Sequence, residues 1–270
     1  MSLNVLVLTS AQMGIDLAAR LARLDEVRLL TVVTTRTVPR QHGRLEKVQR
    51  LLRYDGPPGI LRELSGAARH LFGPDRQETL ARTVAARCPG ARHLHRDDLH
   101  TAESIALLKG LAPDIGVVFA AYRLRPEVFT IPRLGCINLH LGRAPEFRGS
   151  SPAFYELLEG VPEVGITVHR VSEQLDAGPI LAEESFPLDL APEQDPVSYL
   201  VRYQQEILVP NGTRMMAGVV RRLASGPLEE RVQPPSAAPA RGRATYELKR
   251  ELRRRVRIRR AATREAAHPD

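Results

Sequence analysis

The sequence predicts an α/β fold, a doubly wound and mostly parallel sheet with helices on both faces, followed by a short helical, basic C-terminal extension. Three observations carry this. Short apolar runs rich in β-branched residues alternate with segments whose apolar residues recur at helical spacing. Gly, Pro and Asp cluster between those segments as breakers. The 270 residues are 43% hydrophobic and 26% charged, an ordinary globular balance, and long enough to bury a core without covalent staples.

Taken in order, Asn4–Thr9 is a buried strand, and Ile15–Leu21 after it has the spacing of a helix. Val27–Thr34 is a second strand. Residues 36–92 are more polar, with breakers at Asp55–Gly59 and Cys88–Gly90 and helices expected over Leu45–Arg53 and Gln77–Arg87. Ala102–Lys109 reads as a helix stopped near Gly110, and Pro113-Asp114 leads into the strand Ile115–Ala120. Cys136–Leu139 is a short strand, Pro152–Glu159 a helix, and Gly165–Val171 and Ile180–Phe186 two further strands. Such alternation is Rossmann-like, and ligands then bind beyond the carboxyl ends of the strands. Residues just after Ala120 and Leu139 are the first to inspect.

Past Leu190 the character changes. Pro192–Leu223 is largely helical, Gln233–Pro239 is a Pro-rich linker, and Arg241–Arg260 is intensely basic. The expected organisation is a catalytic domain over 1–190, a helical extension over 191–232, and a linker and basic tail over 233–270.

The net charge of +8 is unevenly placed: from Arg241 onward there are 11 Lys/Arg against 4 Asp/Glu. The body is nearly neutral, which argues against a polyanion at the main site. Aromatic residues are 4% of the chain with no Trp, so a base-stacking platform is not expected either. Two cysteines, Cys88 and Cys136, make no disulfide framework and no zinc pair. The N-terminus has no basic n-region and no apolar run long enough for a signal peptide, and no stretch of about 18 apolar residues occurs. The expected location is cytoplasmic.

The chemistry concentrates in two stretches. In Gly135–Gly149, Asn138 and His140 stand at i and i+2 near a strand end, so their side chains share a face. A neutral amide beside an imidazole suits acyl transfer: the amide can stabilise an oxyanion and the imidazole can move protons. The following loop, with Arg143, Pro145, Arg148 and Gly149, is a wall for the same cleft. In Gly165–Ile180, a strand ends in a polar loop, and Asp176 precedes Ala-Gly-Pro. An aspartate there can orient His140 or a water and raise the imidazole pKa. Singly, each signal has a bland reading, since Asn-x-His arises by chance and Asp before Gly is a common turn former.

In their joint order, the stretches resemble the formyltransferases that use 10-formyltetrahydrofolate, which act on glycinamide ribonucleotide, methionyl-tRNA or amino sugars. That pattern is Asn-x-His, a loop with Pro and then Arg/Lys-Gly, Gly-x-Thr/Ser-x-His, and Leu-Asp-x-Gly-x-Ile. All of it has a match here, over roughly residues 4–188. The resemblance implies 10-formyltetrahydrofolate as co-substrate, no metal, and direct transfer to a primary amine through a tetrahedral intermediate. It implies that Asn138 binds the oxyanion, that His140 assists proton transfer, and that Asp176 holds His140 or a water. It also implies that Tyr122, Arg123, Leu124, Gln174 and Leu175 line the pterin pocket. Neither cysteine is placed as a nucleophile. The loop Leu141–Pro145 departs from the family's usual Pro-Ser-Leu-Leu-Pro, which argues for a less usual acceptor. Ser10–Gly14 lacks the Gly-rich run expected to cradle a ribonucleotide phosphate.

The expected acceptor is therefore an amino sugar on a nucleotide carrier. The body reads as too short for the C-terminal module of methionyl-tRNA formyltransferases. The alternatives are a tRNA-directed enzyme using the basic tail, a formyltetrahydrofolate hydrolase, and, in another class, a non-catalytic nucleic-acid-binding protein. The run His93–His100 imitates a metal-ligand pattern but has Asp98 where a His is needed. It reads better as a solvated strand end, with Asp97 or Asp98 beside a helix N-terminus. His169 is expected to support the cleft. The tail, beyond its linker, is expected to be solvated and separate from the site, with Lys249, Arg250, Arg253, Arg254 and Arg257 spread around a helix.

Overall fold

A computed structural model describes residues 2–36, 43–72, 76–191, 194–235 and 239–267. Part of the polar 36–92 segment, Pro192, the Ser236–Ala238 portion of the Pro-rich stretch and the end of the tail lie outside the described residues. The strands are β1 (Leu3–Thr9), β2 (Val27–Thr35), β3 (Arg92–Arg96), β4 (Ile115–Val118), β5 (Cys136–His140), β6 (Glu163–Arg170) and β7 (Ile180–Pro187). They form a single sheet in the order β3-β2-β1-β4-β5-β6-β7. The first five are parallel; β6 runs antiparallel to β5, and β7 antiparallel to β6. The β6–β7 reversal follows from length, because nine residues between them are too few for a parallel crossover.

Alternation along the strands divides the core in two. Leu3, Val5 and Val7 of β1 join Ile137 and Leu139 of β5 and Val164, Ile166 and Val168 of β6 in the larger cluster. Helices α1 (Gln12–Leu21), α3 (Arg76–Arg87), α6 (Phe154–Glu159), α7 (Pro196–Tyr203) and α8 (Val209–Ser225) cover that face. Leu6 and Leu8 of β1, Val118 and Cys136 point the other way, under α4 (Ala102–Gly110) and α5 (Pro126–Phe129). On β5 and β6 this second face carries Asn138, His140, Thr167 and His169, and apolar cover thins out there. Polar chemistry thus sits on a sheet face that period-2 alternation had already set apart.

Two expectations need correction. The breakers at Asp55–Gly59 do interrupt the helix, at Gly56 where φ is +68°, but an unexpected second helical part, entered by Pro57 and Pro58, follows within α2 (Arg44–Phe72). Proline fits there because the first helical residues need no N–H donor. The basic tail is not a solvated appendage. It forms α9 (Tyr246–Ala267), with Leu252 and Val256 buried against the core and Tyr246 packed onto Gly56. Its arginines satisfy helix ends of the body: Arg259 donates to the carbonyls of Leu157 and Leu158 at the end of α6, and Arg253 pairs with Asp195, the N-cap of α7. Part of the charge that reads as a free cationic face is thus engaged within the chain, while Arg250, Arg253, Arg254 and Arg257 remain exposed. No helix among the described residues is long and apolar enough to cross a membrane.

Candidate functional site

Asn138 lies directly opposite His169 in the β5–β6 ladder, and His140 opposite Thr167. Each pair does separate work. His169 Nδ1 lies 2.8 Å from the Arg170 carbonyl, which places its proton there and leaves Nε2 as an acceptor. The Asn138 amide donates to that Nε2 at 3.2 Å and to Asp176 Oδ1 at 3.3 Å. Thr167, fully buried, donates to the Gly142 carbonyl at 2.8 Å and accepts from the Ala144 amide at 3.2 Å. It thereby fixes the loop that leaves β5. His169 is a support, as the sequence suggests; the loop-fixing role of Thr167 carries no sequence signal beyond its place in the motif.

His140 and Asp176 complete the group. The imidazole Nε2–H donates to the Phe147 carbonyl at 2.8 Å, which turns Nδ1 toward Asp176 Oδ2 at 3.6 Å. Burial holds the His140 pKa below its ordinary value, with the Asp176 charge opposing that shift in part. Asp176 lies below the usual carboxylate range: burial pushes it up, but His140, His169 and the Gly149 N–H together outweigh burial. The pair is thus a neutral imidazole with a bare Nδ1 beside a carboxylate, a base whose protonated form is stabilised in advance. Asp176 adopts φ +49°, and its Oδ2 accepts from the Gly149 amide at 2.9 Å.

Beside these groups lies an open cleft with a cavity volume of about 80 Å³. Val118, Ala121, Tyr122, Arg123 and Leu124 form one wall, Val171, Ser172 and Leu175 the other, and Asn138, His169 and Asp176 line it as well. Of the residues expected to line a pterin pocket, Tyr122, Arg123, Leu124 and Leu175 reach it. Gln174 is exposed and is not among its lining. The 121–125 segment is anchored by the His93–His100 run. The Tyr122 hydroxyl accepts from the Leu99 amide at 2.6 Å, burial pushes its pKa up to about 12, and His100 Nε2 accepts from the Arg125 amide at 3.1 Å. His93 and His95 both meet the Thr34 hydroxyl. The described residues hold no group of three or more His, Cys, Asp or Glu placed to share a metal ion.

The expected acceptor loop divides. Gly149 touches Asp176 and Arg148 is buried. Pro145 follows a cis peptide bond. Arg143 turns to Glu163, Glu183 and Ser185, at the opposite end of β6 from Asp176. Gly149 has φ +110°, and a Cβ there would meet the Arg241 carbonyl at 2.1 Å. The tail therefore reaches the edge of the site. Its supposed separateness fails because Gln233 packs on the Asp176 turn and Arg241 on Gly149.

The formyl transferase family model matches residues 68–210. A methionyl-tRNA formyltransferase from Aromatoleum aromaticum is 33% identical over 171 residues, 63% of this chain and 50% of that protein. The chain spans about half or less of the length of the curated relatives it matches. A glycinamide ribonucleotide transformylase from Symbiobacterium toebii superposes with a TM-score of 0.55 at 21% identity, over 86% of this chain and 95% of that one. A likely sugar N-formyltransferase from Mycobacterium tuberculosis gives 0.52 at 17% identity, over 89% and 75%. At such identities the structural likeness speaks for the fold.

Proposed function

Since the chain belongs to the formyl transferase family, we propose that it transfers a formyl group from 10-formyltetrahydrofolate to a primary amine. The observation that carries this reading is the Asn138–His140–Asp176 group, of which Asn138 and Asp176 line a largely apolar cleft and His140 lies behind Asp176. The cleft suits a flat heterocycle: Val118, Leu124, Val171 and Leu175 offer apolar walls, and Asn138, His169 and Asp176 give it one strongly polar side where a reacting centre would sit. Folate bound there supplies an activated formyl carbon.

The roles follow from the hydrogen-bond directions. His140 Nδ1 takes a proton from the attacking amine, and the Phe147 carbonyl holds the ring so that only this nitrogen is available. Asp176 stabilises the imidazolium that results. Asn138 has both amide hydrogens engaged, with His169 and Asp176. It serves a developing oxyanion by exchanging its longer bond, to Asp176, for one to that oxygen. The proton on His140 then goes to the departing folate nitrogen.

The acceptor we favour is an amino sugar on a nucleotide carrier, supported by the rewritten Leu141–Pro145 loop and by the engagement of the tail arginines within the chain. Methionyl-tRNA is the second reading, favoured by the names of the curated relatives. The test is release of tetrahydrofolate from 10-formyltetrahydrofolate, measured with nucleotide-linked amino sugars, methionyl-tRNA, glycinamide ribonucleotide and no amine. Release with an amino sugar alone supports the first reading, and release with methionyl-tRNA alone supports the second. Equal release with and without amine would indicate a hydrolase, and no release in any arm would refute the proposal.

A further inference from the structure

Asp176 is held in a conformation it does not favour. A non-glycine residue at φ +49° costs about 1–2 kcal/mol and persists only where its surroundings over-determine it. The β5–β6 ladder ends at Arg170, six residues earlier, so the ties on the Asp176 backbone are not ladder bonds, although Asn138 of β5 donates to its carboxylate. They come instead from the far end of the chain. Arg231 exchanges backbone bonds with Ile180, at 2.9 and 2.8 Å. Two residues on, the buried Gln233 amide donates to the Asp176 carbonyl at 3.1 Å and to the Gly178 carbonyl at 2.7 Å. Further along, Arg241 N–H donates to the Arg148 carbonyl and the Arg241 carbonyl accepts from Ser150 N–H, both at 2.8 Å. Those bonds flank Gly149, whose amide binds the Asp176 carboxylate. The Arg241 guanidinium also lies 4.6 Å over the ring of Phe147, whose carbonyl anchors His140.

We propose that Gln233 is a positioning residue for Asp176: its amide fixes the backbone of the Asp176 turn, while Arg241, by bracketing Gly149, supports the carboxylate side. This rests on the reading of Asn138, His140 and Asp176 as the reacting group. A side-chain amide is suited to the task because its two hydrogens satisfy two carbonyls of one turn at once. Without them the turn has two buried acceptors unpaired and a left-handed residue free to relax.

The test uses the full chain and needs no acceptor. Histidine ring signals are followed by NMR through a pH titration in wild type, Gln233→Met, Asp176→Asn and the double variant. Asp176 raises His140, while burial and the neighbouring His169 lower it. Displacing Asp176 in Gln233→Met is expected to lower the His140 midpoint by about half a unit or more, given that an opposite charge at this range shifts a pKa by about 1–3 units. Asp176→Asn should lower it at least as far, and the double variant should add nothing to Asp176→Asn. Gln233→Asn, which keeps an amide one methylene short, is a milder second variant and should shift His140 in the same direction. An unshifted His140 in folded Gln233→Met or Gln233→Asn, or a shift fully additive with Asp176→Asn, overturns the proposal. Tetrahydrofolate release by the wild type is measured in parallel. Its absence would remove the reaction and leave the His140 coupling standing, whereas an unmoved titration removes the role of Gln233 alone.

Discussion

Replacing Thr167 by Val tests whether the loop after β5 is held by one hydroxyl. Valine has nearly the same shape but can neither donate to the Gly142 carbonyl nor accept from the Ala144 amide, the 2.8 and 3.2 Å bonds that Thr167 makes. Thr167 is fully buried and Ala144 nearly so, so water does not replace the lost partner. A buried polar group left unpaired costs about 1–3 kcal/mol, and two such groups make about 2–5 kcal/mol after some relaxation. Against a typical total of about 5–15 kcal/mol, that is a large loss, readable as a lower urea midpoint at unchanged slope. Thr167→Ser keeps the hydroxyl and should lose only about 1 kcal/mol for the missing methyl group. The same loop carries Phe147 and Gly149, the partners of His140 and Asp176. Turnover in Thr167→Val should therefore fall by about 100-fold, the scale of a misplacement of about 1 Å. A Thr167→Val protein within about 0.5 kcal/mol of wild type would show that the loop is held by something else.

Three further outcomes are expected. Asp176→Asn removes the charge that raises His140, so the acidic limb of the turnover profile should move to lower pH while plateau turnover drops at least about 100-fold; an unmoved limb would exclude the coupling. His140 itself makes stability pH-dependent. Its folded pKa is lowered, so the unfolded chain binds more protons between that value and about 6.5, and stability rises with pH through this window. His140→Gln should flatten that slope in denaturant titrations. Gly149→Ala places a Cβ against the Arg241 carbonyl at φ +110° and should cost about 2 kcal/mol or more by thermal unfolding, and Leu252→Ala, at the buried face of α9, about 2–5 kcal/mol.

Where the structure follows local rules, the sequence was readable. β1, β4 and β5 alternate between two apolar clusters, and that same alternation put Asn138 and His140 on one face. The Asp176 loop was legible as a motif, but its path was not. In a parallel sheet, reacting groups gather at strand ends, whereas β6 is antiparallel and Asp176 returns over the sheet from its far end. The helix beyond Gly56 was hidden because Pro57 and Pro58 read as breakers, although proline is at home in a first turn. Arg259 and Arg260 of the tail read as part of a solvated face because their partners are backbone carbonyls of distant segments, Leu157 and Leu158 at the end of α6 and Ala191 in a loop, which no spacing rule reveals. Gln233 beside Pro234 and Pro235 has no periodic signal at all. Asp98 and His100 read as a solvated strand end, and they anchor the cleft wall through Tyr122 and Arg125.

The antiparallel turn of the sheet explains why the site draws on so much of the chain. Asn138 and His140 are fixed by a strand, Asn138 between Val118 of β4 and His169 of β6, and His140 opposite Thr167 of β6. Asp176 has no such frame. It must reach His140 across the sheet face from a loop that begins beside the other half of β5, and it does so in a conformation with an intrinsic cost. Hydrogen bonds from within that loop cannot set its height above the sheet, because they move with it. Contacts from independently anchored elements can, and these include Asn138 of β5, the Gly149 amide and the Gln233 side chain. Gln233 follows Arg231, which is bridged to Ile180, and Arg241, which is bridged to Gly149, leads into α9, docked through Leu252 and Val256. A charged helix far down the sequence is thereby joined mechanically to one carboxylate, without touching the reacting groups.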